Sequence, residues 1–182
     1  MFEYIFPIIV ILIAIISYDF FDYKKNKLLV WIGLYLYLTT LIGFRYMVGG
    51  DSYFYSLYFE SIPDGNIFII PENNEYQPFF AILMNLSKYI NSSFISFQIV
   101  HSLLINTCLI YFIAKNSKYI FSTLFFCLLL FYINFAVEIL RESLAIMIFL
   151  FNYKNLENNN NVKYCIGVFI SALFHLSAVF LI

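Results

Sequence analysis

Four short stretches of this chain carry residue types that do chemistry. RYMVGGDSYFYSLY, residues 45–58, sets Arg45, Gly49, Gly50, Asp51, Tyr53 and Tyr55 directly behind an apolar run ending LIGF. EYQPFF, residues 75–80, offers Glu75 and Gln77 beside Pro78. VEILRESLA, residues 137–145, holds Glu138, Arg141 and Glu142, and FHLSA, residues 174–178, holds His175. A planar guanidinium binds a phosphate or pyrophosphate through two parallel hydrogen bonds, which is what Arg45 and Arg141 offer. Asp51 and Glu75 are candidates to orient or deprotonate a hydroxyl. Gly49-Gly50 lets backbone approach a ligand closely or turn sharply, and the tyrosine and phenylalanine faces suit the apolar side of a sugar ring. A plainer reading stands beside each. Glu138 and Arg141, three apart on one helical face, also suit mutual neutralisation. His175, flanked by Ser171 and Ser177, suits a hydrogen bond between helices. His101, alone in an aromatic run, reads as a packing residue.

The elements that must position these groups are apolar. Of 182 residues, 63% are hydrophobic and 12% charged, and the mean hydropathy is +0.85. A water-soluble domain is about half apolar and about a quarter charged, so the composition points to a polytopic all-α membrane protein. A membrane barrel would alternate apolar and polar residues over segments of about ten, whereas these runs are continuous. No nucleotide fingerprint, zinc motif or Ser/His/Asp arrangement is present, and no metal or cofactor is expected. Cys108, Cys127 and Cys165 each lie in an apolar run and read as buried small hydrophobes.

The spacing predicts about six membrane-spanning helices, at 4–20, 28–44, 94–114, 119–135, 137–153 and 162–182. An acidic loop, 45–77, and a short re-entrant or interfacial helix, 78–90, separate the second from the third. Lys24, Lys25 and Lys27 place the first connector in the cytoplasm by the positive-inside rule. With 78–90 not crossing, the later lysine-bearing connectors fall inside as well, and Arg45, His101, Glu138, Arg141, Glu142 and His175 collect in one outward-facing layer. Ionisable residues at membrane depth are costly and mark function. The site expected is an outer-leaflet one for a lipid-linked, phosphate-bearing, hydroxyl-rich substrate. The chain stops inside an apolar run, so a longer protein is expected.

The pattern Arg45-x-x-x-Gly49-x-Asp51-x-x-x-Tyr55, the Pro-flanked EYQPFF, the intramembrane RESLA at 141–145 and the FHLSA at 174–178 resemble the EpsG-type, Wzy-like polysaccharide polymerases of bacterial capsule, exopolysaccharide and O-antigen pathways. The likeness runs from about residue 44 to the end. Two positions depart from the family pattern: Gln77-Pro78 stands where Glu-Pro is usual, and Arg141-Glu142 where Arg-Gln is common. Members are longer, so the resemblance implies an N-terminal portion. It also implies a GT-C-like glycosyltransferase in the bacterial inner membrane, acting on the extracytoplasmic face. Its substrates would be oligosaccharide units carried on undecaprenyl pyrophosphate, with a flippase and a chain-length regulator as partners and no nucleic acid. On that resemblance Arg45 and Arg141 hold the leaving pyrophosphate, Asp51 orients the acceptor or Arg45, and His175 or Glu75 takes the acceptor proton. Gly49, Gly50, Tyr53, Tyr55, Gln77 and Glu138 support them. The alternatives are an export component that moves the same lipid-linked sugars, an acyltransferase acting on surface sugars, and an inactive truncated polymerase.

Lys118→Cys and Asn158→Cys variants are expected to resist a membrane-impermeant maleimide applied from outside intact cells. Labelling of either from outside overturns the topology.

Overall fold

The computed structural model describes residues 2–46, 48–63 and 76–181. Every regular element among them is helical. Helix α1 (Phe2–Ala14) runs on as a π-helical segment, Ile15–Phe20. After a lysine-bearing connector comes α2 (Lys27–Gly43), then α3 (Ser52–Ser61), α4 (Pro78–Ile90) and α5 (Phe94–Asn116). Helix α6 (Ile120–Cys127) passes into two π-helical segments, Leu128–Tyr132 and Asn134–Glu138. Helices α7 (Leu140–Glu157) and α8 (Asn161–Ala172) and a 3-10 segment, Leu176–Leu181, follow.

Local chemistry sets several of these ends. Pro78 stands in the first turn of α4, where a missing N–H costs nothing. The Ser93 hydroxyl accepts from Ile95 N and starts α5. Asn26 (φ 63°) and Asn159 (φ 54°) take the left-handed backbone that asparagine tolerates, one before α2 and one between α7 and α8.

Helix α5 is the centre, contacting α2, α4, α6 and α7. Its inner face buries Phe97, Ile105, Leu109 and Ile113 together with Gln98, His101, Ser102 and Asn106. Ser102 and Asn106 are answered from neighbouring elements. Ser102 donates to Thr39 O of α2 at 2.7 Å, and Tyr132 donates to Asn106 Oδ1 at 2.6 Å. At the far side, α7 and α8 form a tight hairpin. A Cβ on Gly167 would collide with the Asn152 side chain, whose amide donates to Tyr164 O.

Among the described residues, Phe94–Asn116 is the one helix that is by itself long and apolar enough to cross a bilayer. Ile5–Phe20, Lys27–Gly43, Ile120–Tyr132 and Asn161–Ala172 are apolar but shorter. The outer surface is nonetheless apolar: Phe20, Leu28, Leu29, Phe126, Leu130, Val162 and Phe169 are all exposed. The last apolar run, expected as one span at 162–182, is interrupted. Helix α8 stops at Ala172, and His175 lies in the turn before the 3-10 segment. The cysteines also differ from expectation, since Cys108 and Cys127 are half-buried and Cys165 is exposed.

Gly167→Ala must push Asn152 aside in a closely packed hairpin. Overpacking of this kind costs about 1–3 kcal/mol, so the purified variant should unfold at a lower temperature in detergent. An unchanged midpoint would show that α7 and α8 are not pressed together there.

Candidate active site

The site residues gather at one end of the bundle, where three helices begin or break. Helix α7 starts after Ile139, whose backbone (φ −105°, ψ 64°) is not helical and separates it from the preceding π segment. That break changes the expected geometry. Glu138 and Arg141 do not share a helical face and do not neutralise one another. Glu138 Oε2 instead accepts from Gly50 N at 2.7 Å, and Arg141 points elsewhere.

Arg141 is half-buried. Its guanidinium carbon lies 4.9 Å from the centre of the Tyr76 ring, close enough for a cation–π contact. One nitrogen donates to Gln77 Oε1 at 3.3 Å. The amide carbonyl of Gln77 thus serves as a neutral acceptor for the arginine. Tyr55, buried on α3, lies within electrostatic reach of Arg141. Burial holds the Tyr55 hydroxyl above the ordinary phenol range, the nearby Arg141 guanidinium opposes this, and the charge of Asp51 adds to it. Tyr55, Tyr76 and Phe80 form an aromatic box with centroids 5.5 and 5.6 Å apart, and the Tyr58 ring meets Tyr76 edge-on at 4.6 Å.

The turn carrying His175 is brought here by the main chain. Phe79 N, in the first turn of α4, donates to Leu173 O at 3.1 Å, and the Phe79 and Phe174 rings pack edge to face. Arg141 and Glu142 both lie within electrostatic reach of His175. Its Nδ1 is 2.6 Å from Ser177 Oγ, which leaves Nε2 for another partner.

The glycines have structural reasons. Gly49 adopts φ +107°, and a Cβ there would stand 2.5 Å from Val137 O. This backbone region is closed to most side chains. A Cβ on Gly50 would stand 3.3 Å from Glu138 Oε2. The loop is therefore pressed onto the π segment before α7. Asp51 follows at the exposed start of α3, with no side-chain capping bond. Tyr53 is exposed and packs on Phe54 at 5.9 Å, away from the aromatic box.

Arg45 is where the structure departs most from expectation. It is 5% exposed, and its NH1 donates to Ile42 O at 2.8 Å, closing the last turn of α2. A cation is favourable at that helix end. Its charge reaches His101 and Tyr132. Glu75 lies outside the described residues. The structure thus brings together Arg141, Gln77, Tyr55 and His175, holds Gly49, Gly50 and Glu138 as one unit, and sets Arg45 behind them. Tyr76 was missed in the sequence reading, although its place between Glu75 and Gln77 was a signal.

These features define a helical protein with an apolar exterior and, at one end, a cation in an aromatic, hydroxyl-rich setting. The chain belongs to the EpsG family: the sequence model of that family matches residues 28–182. No curated protein and no solved structure gives a significant match.

The Tyr58 hydroxyl is pushed up to about 12, first by burial and then by Tyr76. A group whose proton is held more tightly in the folded state contributes stability in full below its unfolded value, near 10, and loses it as pH rises towards 12. Thermal stability should fall across pH 10–12 in the wild type and fall less in Tyr58→Phe. Parallel curves would remove Tyr58 from the buried box.

Proposed function

We propose that this chain is, or is part of, a multi-pass inner-membrane glycosyltransferase. It polymerises undecaprenyl-pyrophosphate-linked oligosaccharide units on the extracytoplasmic face. The observation that carries the reading is the setting of Arg141, a half-buried cation beside Gln77, Tyr55 and Tyr76, with the His175 turn in reach, in a chain of the EpsG family. The exposed Phe, Leu and Ile side chains support a lipid surround, because water would penalise so large an apolar exterior.

In this reaction the acceptor hydroxyl oxygen attacks the anomeric carbon of the growing chain. The bond from that carbon to the carrier's pyrophosphate breaks, and the hydroxyl proton passes to a protein base. Arg141 binds the pyrophosphate oxygens, where negative charge develops. A preorganised donor at such a point contributes about 3–4 kcal/mol, or 10²–10³ in rate. His175, with Nδ1 on Ser177, presents Nε2 as the base. Glu75 is the alternative base. Asp51, at the exposed start of α3, orients the acceptor. The aromatic box takes a sugar face. Arg45 acts from behind through its charge, and Gly49, Gly50 and Glu138 hold the loop that carries Asp51. A flippase and a chain-length regulator are the proposed neighbours in the pathway.

A second reading, export of lipid-linked sugars without chemistry, draws on the interrupted helix at residues 173–175, since transporters use broken helices at their sites. One experiment separates the two. A strain lacking its own polymerase is complemented with the wild type and with Arg45→Lys, Asp51→Asn, Arg141→Lys and His175→Gln. Arg141→Lys should cost 10²-fold or more in polymer while single lipid-linked units accumulate on the outer face. Accumulation on the inner face favours export, and wild-type polymer from all four variants at normal expression removes the site.

A further inference from the structure

His101, one of the two histidines in the chain, is unused by the chemistry above. It lies on the inner face of α5 and is 0% exposed. Its Nε2 stands 3.1 Å from Leu140 O and 3.1 Å from Ser143 Oγ, and Ser143 Oγ stands 2.8 Å from the same carbonyl. A carbonyl oxygen only accepts, so Nε2 carries the proton and the Ser143 hydroxyl donates alongside it. The Phe97 ring, 5.9 Å from the imidazole centre, packs beside the ring.

Leu140 O belongs to the peptide group whose nitrogen is that of Arg141. It is also the first carbonyl of α7, directly after the non-helical residue Ile139. A helix that starts at a break lacks a preceding turn to fix the rotation of its first peptide. Holding this carbonyl fixes ψ of Leu140 and φ of Arg141, and hence the direction in which the Arg141 side chain leaves the backbone. An apolar residue of similar size would fill the space without the cost of burying an imidazole. What the imidazole adds is the donor.

We propose that His101 is a positioning residue for Arg141: through the Leu140 carbonyl it sets the angle at which the arginine enters the site. The functional half of this claim rests on the reading of Arg141 as the pyrophosphate anchor. The geometric half does not.

The chain holds two arginines, Arg45 and Arg141, so protein labelled with 15N-arginine in detergent gives two side-chain Nε–H signals, and Arg141→Lys identifies which is which. In the absence of ligand, His101→Phe should move or broaden the Arg141 signal. His101→Gln, whose amide nitrogen falls where Nε2 does, should restore it. Leu124→Ala, a core-cavity variant on α6, should leave it in place despite lower stability. Titration with inorganic pyrophosphate should then shift the wild-type Arg141 signal and show about tenfold weaker binding in His101→Phe. If His101→Phe does not fold, His101→Asn, whose donor stops short of the carbonyl, replaces it. An Arg141 signal unmoved by loss of the donor, moved equally by Leu124→Ala, or not restored by His101→Gln overturns the proposal. A wild-type signal indifferent to pyrophosphate sinks the anchor reading while the ligand-free spectra still decide the positioning claim.

Discussion

The structure depends on one constraint, the polar inner face of α5. His101, Ser102 and Asn106 are fully buried, and a buried polar group that loses its partner costs about 1–3 kcal/mol. Packing around α5 is therefore not free to slide. Helix α2 must present Thr39 O to Ser102, the π segment after α6 must present Tyr132 to Asn106, and α7 must present Leu140 O to His101. An apolar face of the same shape would tolerate several registers. This one admits a single register for each neighbour.

From that register the site follows. With α7 pinned at its first carbonyl, Arg141 is delivered to the end of the bundle where α4 begins. The aromatic box of α3 and α4 then closes on it from the other side. The interruptions at Ile139 and at residues 173–175 belong to the same end. Breaks expose backbone groups that must be satisfied, and here Asn134 O accepts from Ile139 N and Phe79 N donates to Leu173 O. A continuous helix at either place would bury the residues that these breaks turn outward.

Much of the helical framework was legible, because hydrophobic runs and their polar breaks report helices directly. The run at 28–44 became Lys27–Gly43, and that at 94–114 became Phe94–Asn116. The breaks were not legible. A π segment and an α-helix are built from the same apolar residues, so nothing in VEILRESLA announced the change of hydrogen-bond register at Ile139. Likewise no glycine or proline marks the end of α8, where a tertiary bond from Phe79 competes for Leu173 O. Sequence set Arg45 and Arg141 in one layer, but side-chain direction is decided by packing. Arg45 closes the end of its own helix, while Arg141 is drawn out by Gln77 and Tyr76. Gln77 reaches Arg141 as a neutral partner, its amide carbonyl accepting from the guanidinium where a carboxylate would accept more strongly.

The bond from Phe79 N to Leu173 O has a consequence for how this site can drift. It joins main chain to main chain, so almost any pair of side chains at 79 and 173 preserves it, and only proline at position 79 deletes the donor. The spacing between the start of α4 and the histidine turn is thus insulated from ordinary substitution. The groups that meet the substrate can vary around it, one residue at a time, without the two segments losing their alignment.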